Sequence, residues 1–341
     1  MNRNNWAHSY YYDVAYKYKV PVQVQIELLT QCNLKCKHCY LPQHDNWGMD
    51  TNEVKALLIE LRKMGTLSIT FTGGEVFLRK DIIELVEFAR NMHMRVSLLT
   101  NATCMTEEQI YQLSKLYIMD ISTTMFSLND DVHDSITQVN GSLKRLLYNL
   151  ELLKKHRIPV VVKMPVMSNN YESLTDVHKY CDSNGFGFSA SPTINVKLNG
   201  DEAPKKMRLA HNHLQCVVEQ IDEIEKYTDT RKFIATKYDT LCSALHYSFT
   251  IDCYGDVYPC TAFSYKLGSI KEDNITNIWN NSTELQFLRN IKKSELQECT
   301  NCKYKKYCER CPGVSYTECG DIHSCDPLAK AIAEARYVIY N

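Results

Sequence analysis

Between about residue 20 and residue 227 the hydrophobic positions change period again and again. Val22-Gln23-Val24-Gln25-Ile26-Glu27-Leu28-Leu29 alternates apolar with polar side chains and favours β-branched residues, which predicts a strand. Residues 51–64 instead bring Val54, Leu57, Leu58 and Leu61 onto one helical face, with Thr51 or Asn52 in position to cap it. Strand patterns recur at 67–72, 94–99, 118–125, 158–164 and 186–190, with helical patterns at 80–92, 106–116, 142–156, 171–184 and 207–227. Six strand–helix units in strict alternation predict an α/β fold, a parallel sheet with its helices outside. Both an open doubly wound sheet and a barrel satisfy that pattern. From Cys242 the alternation stops and short pieces punctuated by Gly and Pro take over.

Composition narrows the class. A chain of 341 residues has room for one large domain and a smaller one. Its 39 Lys and Arg against 40 Asp and Glu make no basic field, so no nucleic-acid partner is expected. No apolar run approaches the ~20 residues that span a bilayer, and the first residues lack the apolar stretch of a secretory signal. A soluble, cytoplasmic protein with no membrane partner is the expectation. Fifteen cysteines in such a chain point to metal or redox chemistry rather than disulfides. Three lie in one early loop, nine between Cys242 and Cys325, and Cys104, Cys181 and Cys216 are scattered, as small buried hydrophobes usually are.

The early loop, Cys32-Asn33-Leu34-Lys35-Cys36-Lys37-His38-Cys39, follows directly on the first strand. It can turn three thiolates toward one centre, and a [4Fe–4S] cluster normally takes four. A three-cysteine set leaves one iron open. With His38 before the last cysteine and Tyr40 after it, the motif resembles that of the radical S-adenosylmethionine (SAM) superfamily; the plainer alternative is a zinc knuckle or three unrelated buried cysteines. The resemblance implies that SAM chelates the open iron through its amino and carboxylate groups. Reductive cleavage then yields methionine and a 5′-deoxyadenosyl radical that abstracts hydrogen from an unactivated C–H bond. Gly73-Gly74-Glu75 ends the second predicted strand. Paired glycines let a ligand approach the backbone, and a carboxylate beyond them can accept from an ammonium group; in the family this motif holds the SAM amino group. By the same resemblance Asn101, Thr124 and Lys163 are candidate SAM contacts, although each reads equally as a cap or a solvated polar residue. The stretch His133-Asp134-Ser135-Ile136-Thr137 followed by Gly141-Ser142 is also similar to relatives, with Thr137 where an Arg is frequent. Loops converging from strand C-termini favour a barrel-like curl. The implied fold is a partial (β/α)6 TIM-like barrel over 21–230, after a leader segment at 1–20 and before a small cysteine-rich domain at 231–341.

That last segment carries Cys242-x12-Gly255-x4-Cys260, then Cys299-x2-Cys302-x5-Cys308-x2-Cys311, then Cys325. It has little apolar material for a core, so bound metal is expected to staple it. The spacing resembles the SPASM extension of radical SAM enzymes, which implies two auxiliary [4Fe–4S] clusters. One would take Cys242, Cys260 and Cys311 with Cys253 as candidate fourth ligand, or keep an open iron without it. The other would take Cys299, Cys302, Cys308 and Cys325, with Cys319 as the alternative to Cys325. Zinc on the two Cys-x2-Cys pairs is disfavoured, because zinc ribbons usually part their pairs by ~15–20 residues.

SPASM proteins characteristically modify peptides and proteins, so the resemblance implies crosslinking or oxidation of a ribosomally made peptide. Thr261 stands where sulfatase-maturing members carry an Asp. About 20 residues precede the first strand, so leader recognition would fall to a separate protein or to a different surface of this one. A flavodoxin- or ferredoxin-type donor would supply the electron. Modification of a tetrapyrrole side chain, peptide epimerisation and a non-catalytic metal-binding protein are the alternatives.

Overall fold

The computed structural model describes residues 3–226 and 239–341. Six parallel strands follow the predicted alternation: β1 (Gln23–Glu27), β2 (Ser68–Thr72), β3 (Arg95–Leu99), β4 (Asp120–Thr124), β5 (Val160–Pro165) and β6 (Gly187–Ser191). The helices between them are α2 (Thr51–Lys63), α3 (Ile82–Asn91), α4 (Glu107–Lys115), α5 (Asp130–Thr137), α6 (Ser142–Lys155) and α7 (Leu174–Asn184), and α8 (His211–Ile224) follows β6. Helix α2 begins where expected because Asp50 caps it, accepting from the Asn52 and Glu53 amides while Glu53 reaches back to the Asp50 amide. Helix α5 has no counterpart in the predicted pattern.

The sheet is longer than the alternation predicts. Its order is β6-β5-β4-β3-β2-β1-β7-β8-β9, where β7 (Ser248–Ile251) runs parallel to β1, and β8 (Asp256–Tyr258) and β9 (Gly268–Ser269) turn back antiparallel. The cysteine-rich segment therefore extends the main sheet. Phe249, Ile251, Val257, Leu267, Ile278, Trp279, Leu285 and Leu288 join the same buried core as β1–β5, so apolar packing as well as metal supports it. The expected boundary at 230/231 lies outside the described residues. The expected leader segment holds helix α1 (Arg3–Tyr18), whose Tyr16 stacks on His246 of the cysteine-rich segment, and the Trp279 indole donates to the Lys19 carbonyl.

Register sorts the strand residues into two faces. Ile26, Phe71, Leu98, Ile121 and Val160 lie in one buried row against the helices. The opposite face carries Glu27, Thr72, Leu99, Ser122, Thr124 and Lys163. Alternation thus leaves a hollow rich in hydroxyls at the C-terminal strand ends, and the sheet stays open at β6 and β9.

Candidate active site

The first loop is held from both sides. Amides of Lys35 and Lys37 donate to the carbonyls of Thr137 and Ile136 at 3.0 Å each, so the C-terminal turn of α5 is its cradle. From the other side Gly74 N–H donates to Leu29 O and Glu75 N–H to Gln31 O, at 2.9 and 2.8 Å. The paired glycines are explained by this seating. A Cβ on Gly74 would stand 2.2 Å from Gln31 O and 2.3 Å from Thr30 O, and one on Gly73 2.3 Å from Leu29 O. Their bareness admits the chain's own backbone, where the sequence had suggested a ligand.

Cys32, Cys36 and Cys39 all line one cavity of about 200 Å³, together with His38, Tyr40, Gly73, Gly74, Asn101, Thr124 and Lys163. Eleven residues expected from sequence are in question here, and Glu75 is the one that does not line it. Its carboxylate is fully buried and accepts from the Thr100 hydroxyl, the Asn101 amide and the Phe77 amide at 2.6, 2.7 and 3.0 Å. Glu75 ties the ends of β2 and β3 together. Asn101 in turn donates to Asn33 Oδ1 at 2.8 Å, inside the cysteine loop. Asp134 caps α6, accepting from Ser142 and Leu143, so it serves structure. His38 is buried against Phe126, its Nδ1 has no partner, and burial holds its pKa down at about 4.

Burial pushes the Cys32 thiol up to about 11, with Glu75 and Cys39 adding to it, and burial also raises Cys36, helped by Cys39 and Cys32, and Cys39, helped by Glu27. Lys197 favours the Cys39 thiolate, and a cationic metal centre would favour all three. Among the described residues no three His, Cys, Asp or Glu side chains converge as for a single metal ion. A four-iron cluster makes no such demand, because each cysteine binds a different iron.

Further cysteines gather at the far side of β1. Burial raises the thiol pKa of Cys242 and Cys260, with Cys311 adding to both and Cys242 adding to Cys260. Gly313 allows this approach, since a Cβ there would meet the Phe263 Cβ at 2.8 Å, and Asp326 accepts from the Cys311 amide. Cys308 and Cys325 likewise respond to Cys299. Cys302 lies one turn from Cys299 in the same knuckle, and exposed Cys319 has its sulfur 4.0 Å from the Cys325 carbonyl. Cys253 stands apart from all of them. It is buried in the β7–β8 turn beside Gly48, and its charged neighbours are Asp252 and Glu27. Its surroundings set it apart from Cys242, Cys260 and Cys311.

The radical SAM superfamily model matches residues 26–181, and the SPASM model, an iron-sulfur cluster-binding domain, matches residues 242–312. The chain belongs to the radical SAM superfamily and carries a SPASM domain. Its cofactors are accordingly iron–sulfur clusters and SAM. It is 27% identical over 306 residues to the antilisterial bacteriocin subtilosin biosynthesis protein AlbA of Bacillus subtilis, covering 86% of this chain and 68% of that protein. To an AdoMet-dependent heme synthase of Methanosarcina barkeri it is 24% identical, covering 88% and 94%. Streptococcus suis SuiB, solved bound to its precursor peptide SuiA, superposes with a TM-score of 0.72 at 16% identity, covering 96% of this chain and 80% of that one. No helix among the described residues is long and apolar enough to cross a membrane.

Sequence reasoning passed over Glu27. It is buried at the end of β1 and accepts from the Tyr40 hydroxyl at 2.5 Å. The signal was present: an acidic residue at the last inward position of an alternating strand, five residues before the first cysteine.

Proposed function

We propose that this radical SAM/SPASM enzyme modifies a ribosomally made peptide or protein, closing a crosslink or oxidising a Cα or side-chain carbon. The observation that carries the reading is the run of cavities linking the two cysteine regions. Tyr40 lines both the first-loop cavity and a small one that also contains Thr261, and Thr261 lines a third that reaches Cys260. A peptide laid over these walls would lie between the first loop and the first auxiliary set. The relatives AlbA, named for bacteriocin biosynthesis, and SuiB, solved with a precursor peptide, support a peptide substrate.

In this reading Cys32, Cys36 and Cys39 hold the cluster that binds SAM. The hydroxyl-lined hollow, with Asn101, Thr124 and Lys163, receives SAM. When bound, that pair supplies a carbon radical able to remove a hydrogen atom. Cys242, Cys260 and Cys311 hold one auxiliary cluster with an iron free for another ligand, and Cys299, Cys302, Cys308 and Cys325 hold the other. The walls of the hollow orient the substrate and exclude water. A flavodoxin- or ferredoxin-type protein delivers the electron, and a separate protein recognises the leader.

The test is anaerobic coexpression with a candidate peptide, followed by mass spectrometry. Loss of two mass units per modified site is expected, with iron near twelve per chain from three four-iron clusters. Cys32→Ala should abolish SAM cleavage, and cleavage that survives it would defeat the assignment. Coverage of nearly the whole heme synthase favours tetrapyrrole side-chain modification as the second reading. It predicts turnover of a carboxylated porphyrin with no change in any peptide.

A further inference from the structure

We propose that Glu27 is the proton acceptor for the substrate, working from the wall of the cavity that it shares with Cys260 and Thr261. The inference rests on the peptide-modifying reading. The cavity, of about 130 Å³, is lined by Glu27, Leu198, Asp252, Tyr258, Cys260 and Thr261, among others. Glu27 enters from the end of β1 and Thr261 from the loop after Cys260, so a group seated there lies between these two walls.

Glu27 is built for the role. It is 4% exposed, no Lys or Arg among the described residues forms an ion pair with it, and the Tyr40 hydroxyl fixes one carboxylate oxygen. Burial, with Asp252 adding to it and the Tyr40 hydrogen bond opposing it, raises its pKa to about 7. The titratable groups around it are Cys39 and Tyr40 from the first loop and the residue after it, Asp252 and Cys253 from the β7–β8 turn, and Tyr258 from β8. All are acidic, so none supplies a cation that would hold Glu27 ionised. A carboxyl balanced near neutrality can accept a proton and release it again.

Crosslinking needs such a group. Joining X–H and C–H into X–C removes two hydrogens, that is, two protons and two electrons. One hydrogen atom goes to the cofactor-derived radical. One electron goes to an oxidised auxiliary four-iron centre. The remaining proton goes to Glu27, and the X–C bond replaces the X–H and C–H bonds.

The test compares wild type with Glu27→Gln, Glu27→Asp and the double variant Glu27→Gln/Thr261→Asp, all cluster-loaded, with the candidate peptide as probe. In Glu27→Gln, 5′-deoxyadenosine formation should stay within about threefold of wild type, while modified peptide falls about a hundredfold. Glu27→Asp should recover part of that loss. The double variant, with a carboxylate on the opposite wall, should recover more than Glu27→Gln alone. Infrared difference spectra of the loaded enzyme without SAM should contain a carboxylic acid band that disappears between pH 6 and 8 and is missing in Glu27→Gln. Product formed by Glu27→Gln at the wild-type ratio to 5′-deoxyadenosine, or persistence of the band in that variant, overturns the proposal. If wild type never modifies the peptide, the functional reading fails. The infrared band, read on the same preparation, then still decides whether Glu27 carries a proton near neutral pH.

Discussion

Gly74→Ala is the sharpest test of how the first loop is held. Gly74 carries no left-handed backbone angle, so the effect of a methyl group there is purely steric. The new Cβ would stand 2.2 Å from Gln31 O and 2.3 Å from Thr30 O. Ordinary C···O contact is about 3.3 Å, so the overlap is about 1 Å against two backbone atoms, and no side chain can swing away to relieve it. The loop must retreat by about that distance. The Gly74 and Glu75 amide bonds to Leu29 and Gln31, now 2.9 and 2.8 Å, then pass the limit of a hydrogen bond. Two such bonds are together worth about 2 kcal/mol. Cys32 lies one residue beyond Gln31, so the displacement reaches the first thiol directly. Iron should drop by about four per chain, with SAM cleavage lost and far-ultraviolet circular dichroism retained. Gly185→Ala is the control. Its backbone is left-handed at φ +70° but nothing lies within 4 Å, so it should cost about 1 kcal/mol in stability and no iron. Gly74→Ala with wild-type iron and full cleavage would refute the seating argument.

Three further perturbations test other parts of the structure. Cys253→Ala should leave iron content unchanged, whereas Cys260→Ala should lower it by up to about four; an equal loss in both would return Cys253 to the ligand set. Arg336→Ala strips Asp222, 2% exposed at its side chain, of a two-pronged ion pair at 2.8 and 3.0 Å, and should destabilise the chain by about 3 kcal/mol in chemical denaturation. Glu27→Gln should stabilise the protein increasingly with pH. The folded pKa of about 7 lies above the ordinary carboxyl value of 4.5, so wild type loses stability as pH rises toward and through 7. The advantage of the neutral amide should grow from about 2 kcal/mol at pH 6 to about 3 kcal/mol at pH 8.5, and a urea midpoint difference that shrinks over that range would contradict it.

The six parallel strands and most of their helices were legible because each buries one face, and burial writes its period into the chain. Helix α5 was not, because only His133, Ile136 and Thr137 are buried along Asp130–Thr137, too few for a period to register. Strand β7 was hidden for a different reason. Four residues, Ser248–Ile251, are too short to alternate visibly, and the partner that makes them a strand lies more than 200 residues earlier. The cysteines of the first loop were readable from spacing alone. The work of Gly73, Gly74 and Glu75 was not, since spacing puts them beside the site without saying which way they face. Cys253 is a related case: a turn of Asp252–Gly255 can bring it near Cys260 in sequence while pointing it toward β1.

The placement of β7 bears on how the two cysteine regions cooperate. If the SPASM segment were a domain tethered through the chain near residue 230, the distance from Cys39 to Cys260 could vary with every hinge movement. Instead β1 sits in one sheet between β2 and β7, with Ile26 opposite both Phe71 and Ile251. The first loop leaves the end of β1, and β7 leads through a tight antiparallel turn into β8 and Cys260. Backbone hydrogen bonds on both sides of β1 therefore fix the separation. Glu27, the last residue of that strand, lies between the two regions and cannot approach one by leaving the other. A proton acceptor that must meet the same substrate as two cysteine centres needs this kind of mounting, because a misplacement of about 1 Å is enough to cost two orders of magnitude in rate.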